Sequence, residues 1–142
     1  MDHSRGLIKF GESFMDQKWS ILGEPYRPIH LSETSLIMYS EFSAGGMVPM
    51  HIHETQDEML YILEGDMEFE TEGTVIKAGP GDIVSLPMGI PHALFNRSDS
   101  VVKSLVTVSP TARFYDYLKA IDGLSDPAEI VRLGPSHGIQ FV

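Results

Sequence analysis

Two histidines stand two residues apart in Met47-Val48-Pro49-Met50-His51-Ile52-His53. On a β-strand, residues i and i+2 point to the same face, so His51 and His53 present two imidazoles side by side. Imidazole is the commonest protein ligand for metals. A carboxylate, Glu58, opens the next apolar run, and His92 offers a third imidazole further along. Three neutral nitrogens and one carboxylate suit one divalent transition ion: Zn, Fe, Ni, Co or Mn. Four protein ligands on an octahedral ion leave two positions for water or substrate, which catalysis needs and a closed structural site lacks.

Short strands must position these groups. Trp19 to Leu22 reads as an edge strand, after which Gly23-Glu24-Pro25 and Arg27-Pro28 break the pattern. Residues before about 17 carry no clear signal. Thr34 to Phe42 is rich in strand formers, and Ser43-Ala44-Gly45-Gly46 turns the chain. Met47 to His53 follows, with Pro49 marking an edge or a bulge. Asp57 to Leu63 sets Glu58, Leu60 and Ile62 on one face and Met59, Tyr61 and Leu63 on the other. Both faces are largely apolar, as for a strand between a barrel interior and a packed outer layer. Glu64-Gly65-Asp66 reads as a hairpin turn. Met67–Glu70, Val75–Ile76, Ile83–Leu86, Ala93–Phe95 and Val101–Val108 continue the series. Regular short strands between turns signal an all-β barrel or sandwich.

The period then changes. Ser109-Pro110-Thr111 resembles a helix start, with Pro110 at the first helical position. Phe114, Tyr117, Leu118 and Ile121 recur at helical spacing and would pack on the outside of the barrel. Gly123 ends that helix. Asp126-Pro127-Ala128-Glu129 forms a capping box for a second helix that stops at Gly134-Pro135. This divides the chain into an arm over 1–33, a barrel core over 34–108 and a helical extension over 109–142, one domain in all.

The chain has 142 residues and 42% hydrophobic content, enough for a sizeable core. A formal charge of −10 disfavours nucleic acid and anionic membranes as partners. With no cysteine, thiolate sites and disulfides are excluded. No apolar run reaches the length of a membrane span, and Met1 to Gly6 lacks a secretory apolar stretch. A cytoplasmic protein is the expectation.

The spacing carries a resemblance. Gly45, His51, His53, Glu58 and Gly65 match the first cupin motif: glycine, five residues, His-x-His, four residues, Glu, six residues, glycine. Gly81, Pro87, Gly89, His92 and Asn96 match the second without a gap. The chain thus resembles a single-domain cupin, which implies a jelly-roll β-barrel with a short C-terminal helical tail. It further implies that His51, His53, Glu58 and His92 ligate a metal inside the barrel. Gly45, Gly65, Gly81, Pro87, Gly89 and Asn96 read as structural turn positions. From Ser109 to Phe141 the tail is similar to bacterial quercetin-dioxygenase-like cupins, and single-domain cupins that act as aromatic polyketide cyclases are similar at this level too.

The implied activity is that of a metal enzyme on a small aromatic or enolic substrate, as a quercetinase-like dioxygenase. A cyclase or isomerase working without O2, and a binding module without catalysis, are the alternatives. Glu58 is either a ligand alone or also the base that takes a substrate hydroxyl proton. Phe42, Leu60, Ile62, Leu94, Met38 and Met50 are the pocket candidates, although methionines more often simply fill a core. His3, His30 and His137 match no motif and read as surface or loop residues. Trp19 and Tyr26 precede the barrel and would cover its edge or that of a partner, since members of the family often form a homodimer.

Overall fold

The computed structural model describes residues 6–9 and 17–142; His3, with the rest of 1–5 and 10–16 of the expected arm, lies outside them. Two antiparallel sheets face each other. The six-stranded sheet contains β1 (Trp19–Ile21), β2 (Glu24–Leu31), β3 (Leu36–Phe42), β5 (Asp57–Glu64), β8 (Ile83–Leu86) and β10 (Val102–Ser109), in the order β1-β2-β3-β10-β5-β8. The five-stranded sheet contains β4 (Met47–His53), β6 (Met67–Thr71), β7 (Thr74–Ala78), β9 (His92–Phe95) and β11 (Ile139–Phe141), in the order β11-β4-β9-β6-β7. This is a jelly-roll arrangement whose sheets pack together without closing into one hydrogen-bonded ring.

Strict alternation builds the core. β3 buries Leu36, Met38, Ser40 and Phe42, and β10 buries Val102, Ser104, Val106 and Val108 opposite them. The one polar pair in that row, Ser40 and Ser104, is satisfied by a mutual hydrogen bond of 2.8 Å.

Several sequence expectations change. The prolines near residue 25 do not end regular structure: β2 runs through both. Pro25 faces Ser20 of the three-residue edge strand β1, and Pro28 sits at a register shift against β3, so the missing N–H groups are tolerated. His30 therefore lies within a strand, half-buried, with Nε2 at 3.1 Å from Ser35 Oγ. Trp19 and Tyr26 are both buried; Trp19 packs edge-on against Tyr115 at 5.5 Å, and Tyr26 faces the barrel interior.

Glu64–Asp66 is no hairpin. β5 pairs with β10 and β8, while β6 pairs with β7 and β9, so the chain crosses between sheets at Gly65. That residue has φ +86°, and a Cβ there would meet the Val101 carbonyl oxygen at 3.0 Å. The outer face of β5 also lacks the expected packed layer: Met59 and Tyr61 are exposed.

The tail differs most. α1 spans Phe114–Ile121 and starts beyond Pro110, because Thr111 is held first by Ser32 and Glu33: its hydroxyl donates to the Ser32 carbonyl at 2.5 Å. The apolar face of α1 closes over the barrel mouth and lines its cavity, rather than packing outside. α2 spans Pro127–Leu133, and the Asp126 carboxylate caps it by accepting from Ala128 N at 3.0 Å. A short 3-10 turn at Pro135–His137 holds His137, whose ring Nδ1 lies 2.8 Å from the Leu133 carbonyl. The chain then returns as β11 along β4, placing Ile139 opposite His53 and Phe141 opposite His51. Among the described residues, no helix is long and apolar enough to cross a membrane.

Candidate metal centre

The five-stranded sheet supplies three histidines and the facing sheet supplies the carboxylate. His51 and His53 share the inner face of β4, His92 opens β9 in register with His51, and Glu58 points inward from β5. Pro49 makes the expected bulge: the β4–β9 register shifts between Val48 and His51. The bulge leaves the Pro49 carbonyl for the His51 ring, whose Nδ1 lies 2.7 Å away.

The other two rings are anchored in the same way. His92 Nδ1 lies 3.3 Å from the Ile90 carbonyl, and His53 Nδ1 lies 3.3 Å from Gln56 Oε1. The Gln56 amide is oriented by its own donation to the Thr111 carbonyl at 3.0 Å. All three Nδ1 atoms thus face acceptors; with a proton on each Nδ1, the Nε2 atoms are left to present lone pairs to a metal.

Those lone pairs converge. His51 Nε2 is 3.2 Å from His53 Nε2, and Glu58 Oε2 is 3.0 Å from the Nε2 atoms of both His53 and His92. One donor atom from each residue lies within 4.8 Å of the others, and all four side chains are buried. Four such groups so close together and buried favour a cation between them. A proton shared by His53 and Glu58 answers this in part; a divalent ion with ligand distances of roughly 2.0–2.2 Å answers it for all four. The donor set fits such an ion.

The electrostatics agree. Burial, reinforced by the neighbouring His92 and His53, lowers the His51 pKa to about 4, so this ring is neutral at physiological pH. At His53, burial works against the charged form, but the Glu58 carboxylate outweighs it and the pKa is raised. At Glu58, burial favours the acid, yet His53 and His92 hold its pKa well below the ordinary carboxylate value.

The cluster opens onto an apolar pocket in the barrel interior. Phe42, Leu94 and Met38 line it, as do Tyr26, Phe114 and Phe141. Phe114 packs 5.0 Å from the His53 ring, and Phe141 packs 5.7 Å from His51. Leu60 and Ile62 are fully buried in the core and stand outside that lining. Met50 also stands outside it, because it alternates away from His51 on β4. Asn96 clamps the loop before β4: its Nδ2 donates to the carbonyls of Phe42, Ser43 and Ser100 at 2.9, 3.1 and 2.7 Å. Gly89 ties the His92 turn to β4, donating its N–H to the His53 carbonyl at 2.9 Å.

A model of the cupin domain matches residues 38–108, half of the chain. The chain belongs to the cupin family. This cupin is 32% identical over 94 residues to quercetin 2,3-dioxygenase of Bacillus subtilis (strain 168), covering 66% of this chain and 26% of that protein. It is 29% identical over 100 residues to germin-like protein 8-14 of Oryza sativa subsp. japonica, covering 64% of this chain and 46% of that one. The chain therefore spans less than half the length of either curated relative. Among solved structures, an RmlC-like cupin from Shewanella frigidimarina NCIMB 400 has the same fold, with TM-score 0.67 at 16% identity over 81% of this chain and 99% of that one.

Gln56 was not marked by the sequence, Tyr26 was expected to cover an edge and Phe114 to pack outside the barrel, and the structure places Tyr26, Phe114 and Phe141 in the pocket instead. Gln56 had a usable signal, three residues after His53 and fully buried in the fold. Tyr26 and Phe141 had none, because both sit in strands that the local pattern did not mark.

Proposed function

We propose that this cupin is a metal-dependent enzyme acting on a small, largely apolar aromatic or enolic molecule, by dioxygenation of the quercetinase type. The observation behind this reading is a buried cluster of three histidines and one glutamate opening onto an apolar pocket. No lysine or arginine lines that pocket among the described residues, so a phosphorylated substrate has no partner there. The partial likeness to a quercetin dioxygenase supports the choice of reaction.

In this reading His51, His53, Glu58 and His92 hold one divalent transition ion. When bound, such an ion supplies Lewis acidity toward a substrate oxygen and, if redox-active, a route for electrons to O2. The chain does the rest. Glu58 turns Oε2 to His53 and His92; its Oε1 accepts the substrate hydroxyl proton, leaving an electron-rich enolate. Phe42, Leu94 and Met38 hold the substrate's apolar body. Phe114 and Phe141 keep bulk water from the reacting carbon.

The homodimer expected from the sequence belongs to the same proposal. Its support is the outward face of the six-stranded sheet, where Met59, Tyr61 and Ile83 are 42%, 40% and 65% exposed on paired strands.

The test is oxygen uptake by the metal-loaded protein with quercetin and smaller enolic phenols. Uptake in step with substrate loss supports the dioxygenase. Equal turnover without oxygen replaces it with a cyclase or isomerase. Tight binding of the phenols with no turnover makes the protein a binding module.

A further inference from the structure

Tyr26 lines the pocket and is 8% exposed. Its ring is fixed: β2 pairs Tyr26 with Trp19 on one side and Ser40 on the other, and Phe42 packs edge-on at 6.0 Å and 86°. Outside the four candidate ligands, the other hydroxyl lining the pocket belongs to Tyr117, which donates to the Ile130 carbonyl at 2.7 Å. The Tyr26 hydroxyl makes no hydrogen bond among the described residues, and since no fully enclosed side-chain oxygen there lacks a partner, it borders the open space of the pocket. A hydroxyl that borders an apolar pocket and bonds to no group of the fold adds little to stability. It can serve a bound molecule instead.

We propose that Tyr26 is the substrate-orienting hydrogen-bond donor of this pocket, acting on a second substrate oxygen apart from the one held at the His/Glu cluster. This rests on the function proposed above and narrows its substrate class. The substrate is an apolar molecule with an oxygen at the metal end and a carbonyl or ether oxygen further along its body. The phenol remains a donor throughout the working range, because burial, with the negative charges of Glu58 and Glu24, holds its pKa far above the ordinary value. Orientation at two points fixes which carbon faces the reacting centre, so the donor serves regiospecificity as well as affinity.

The experiment compares wild type with Tyr26→Phe. First, the melting temperature of the metal-free protein is measured; the variant should match or exceed wild type, and a clear fall would overturn the proposal by making the hydroxyl structural. Second, cobalt-loaded protein is titrated with 4′-hydroxyacetophenone against 4-ethylphenol, and with 3′-hydroxyacetophenone against 3-ethylphenol. Each pair is alike in shape, and one member adds a carbonyl acceptor. Wild type should prefer the ketone in at least one pair by a margin that shrinks about tenfold in Tyr26→Phe, as loss of one buried hydrogen bond predicts. Differences in phenol acidity cancel, because both proteins see the same ligands. Preferences unchanged in both pairs would overturn the role of Tyr26 and leave the pocket intact. Failure of wild type to bind any of the four phenols would overturn the proposed function, and the role of Tyr26 with it.

Discussion

Gln56 Oε1 lies 3.3 Å from His53 Nδ1, and the same side chain donates to the Thr111 carbonyl ahead of α1. One buried amide therefore fixes the tautomer of a candidate ligand and joins it to the tail that covers the pocket.

Replacing that amide tests its role. Gln56→Leu frees the His53 ring to rotate and should weaken metal binding about 10–100-fold, the usual effect of removing such a support. Gln56→Glu keeps an acceptor and should recover much of the loss. Competition with a coloured chelator measures both; affinity equal to wild type in Gln56→Leu would remove the support role.

The pH dependence follows from His53 and Glu58. The His53 pKa is raised in the metal-free fold, so its contribution to stability is present below the ordinary value of 6.5 and is lost as pH rises through the folded value. The Glu58 pKa is lowered, so its contribution is present above the ordinary value of 4.5 and is lost as pH falls through the folded value. The metal-free melting temperature should therefore decline on the alkaline side, while the loaded protein holds. A metal must displace the proton between His53 and Glu58, so affinity should rise with pH across that range. Calorimetry in two buffers should find about one proton released per ion. His51, already lowered to about 4, should contribute none near neutrality.

At the crossing between sheets, Gly65→Ala places a side chain at φ +86° against the Val101 carbonyl. The expected cost is about 1–3 kcal/mol, read by denaturant unfolding, with metal stoichiometry unchanged once the variant is folded. A variant as stable as wild type would show that the corner can relax.

If the outer sheet face pairs two copies, Tyr61→Lys with Ile83→Lys should yield a monomer by light scattering, with metal binding retained. Wild-type protein already monomeric at tens of micromolar would contradict the homodimer.

The site was more legible in the sequence than its surroundings. His51, His53, Glu58 and His92 stand at spacings that a strand and a constrained turn translate directly into a shared direction. The core strands were legible from alternation, because each buries one face. β2 was hidden by Pro25 and Pro28, whose tolerance depends on a short edge partner and a bulge that no local window contains. β11 is three residues long, and its partner is far away in sequence. The placement of α1 over the barrel mouth follows from anchoring of Thr111 to Ser32 and Glu33, a long-range hydrogen-bond relation with no periodic signature. Tyr26 acquires meaning only through neighbours that the fold brings to it.

Elemental analysis decides whether His51, His53, Glu58 and His92 hold a single ion. Wild-type protein and His92→Ala are each loaded with Zn, Fe, Ni, Co or Mn, desalted and measured. Wild type should hold about one ion per chain, and His92→Ala should lose most of it. A wild type that retains none of these ions, or a His92→Ala protein that binds them as tightly as wild type, would contradict that site.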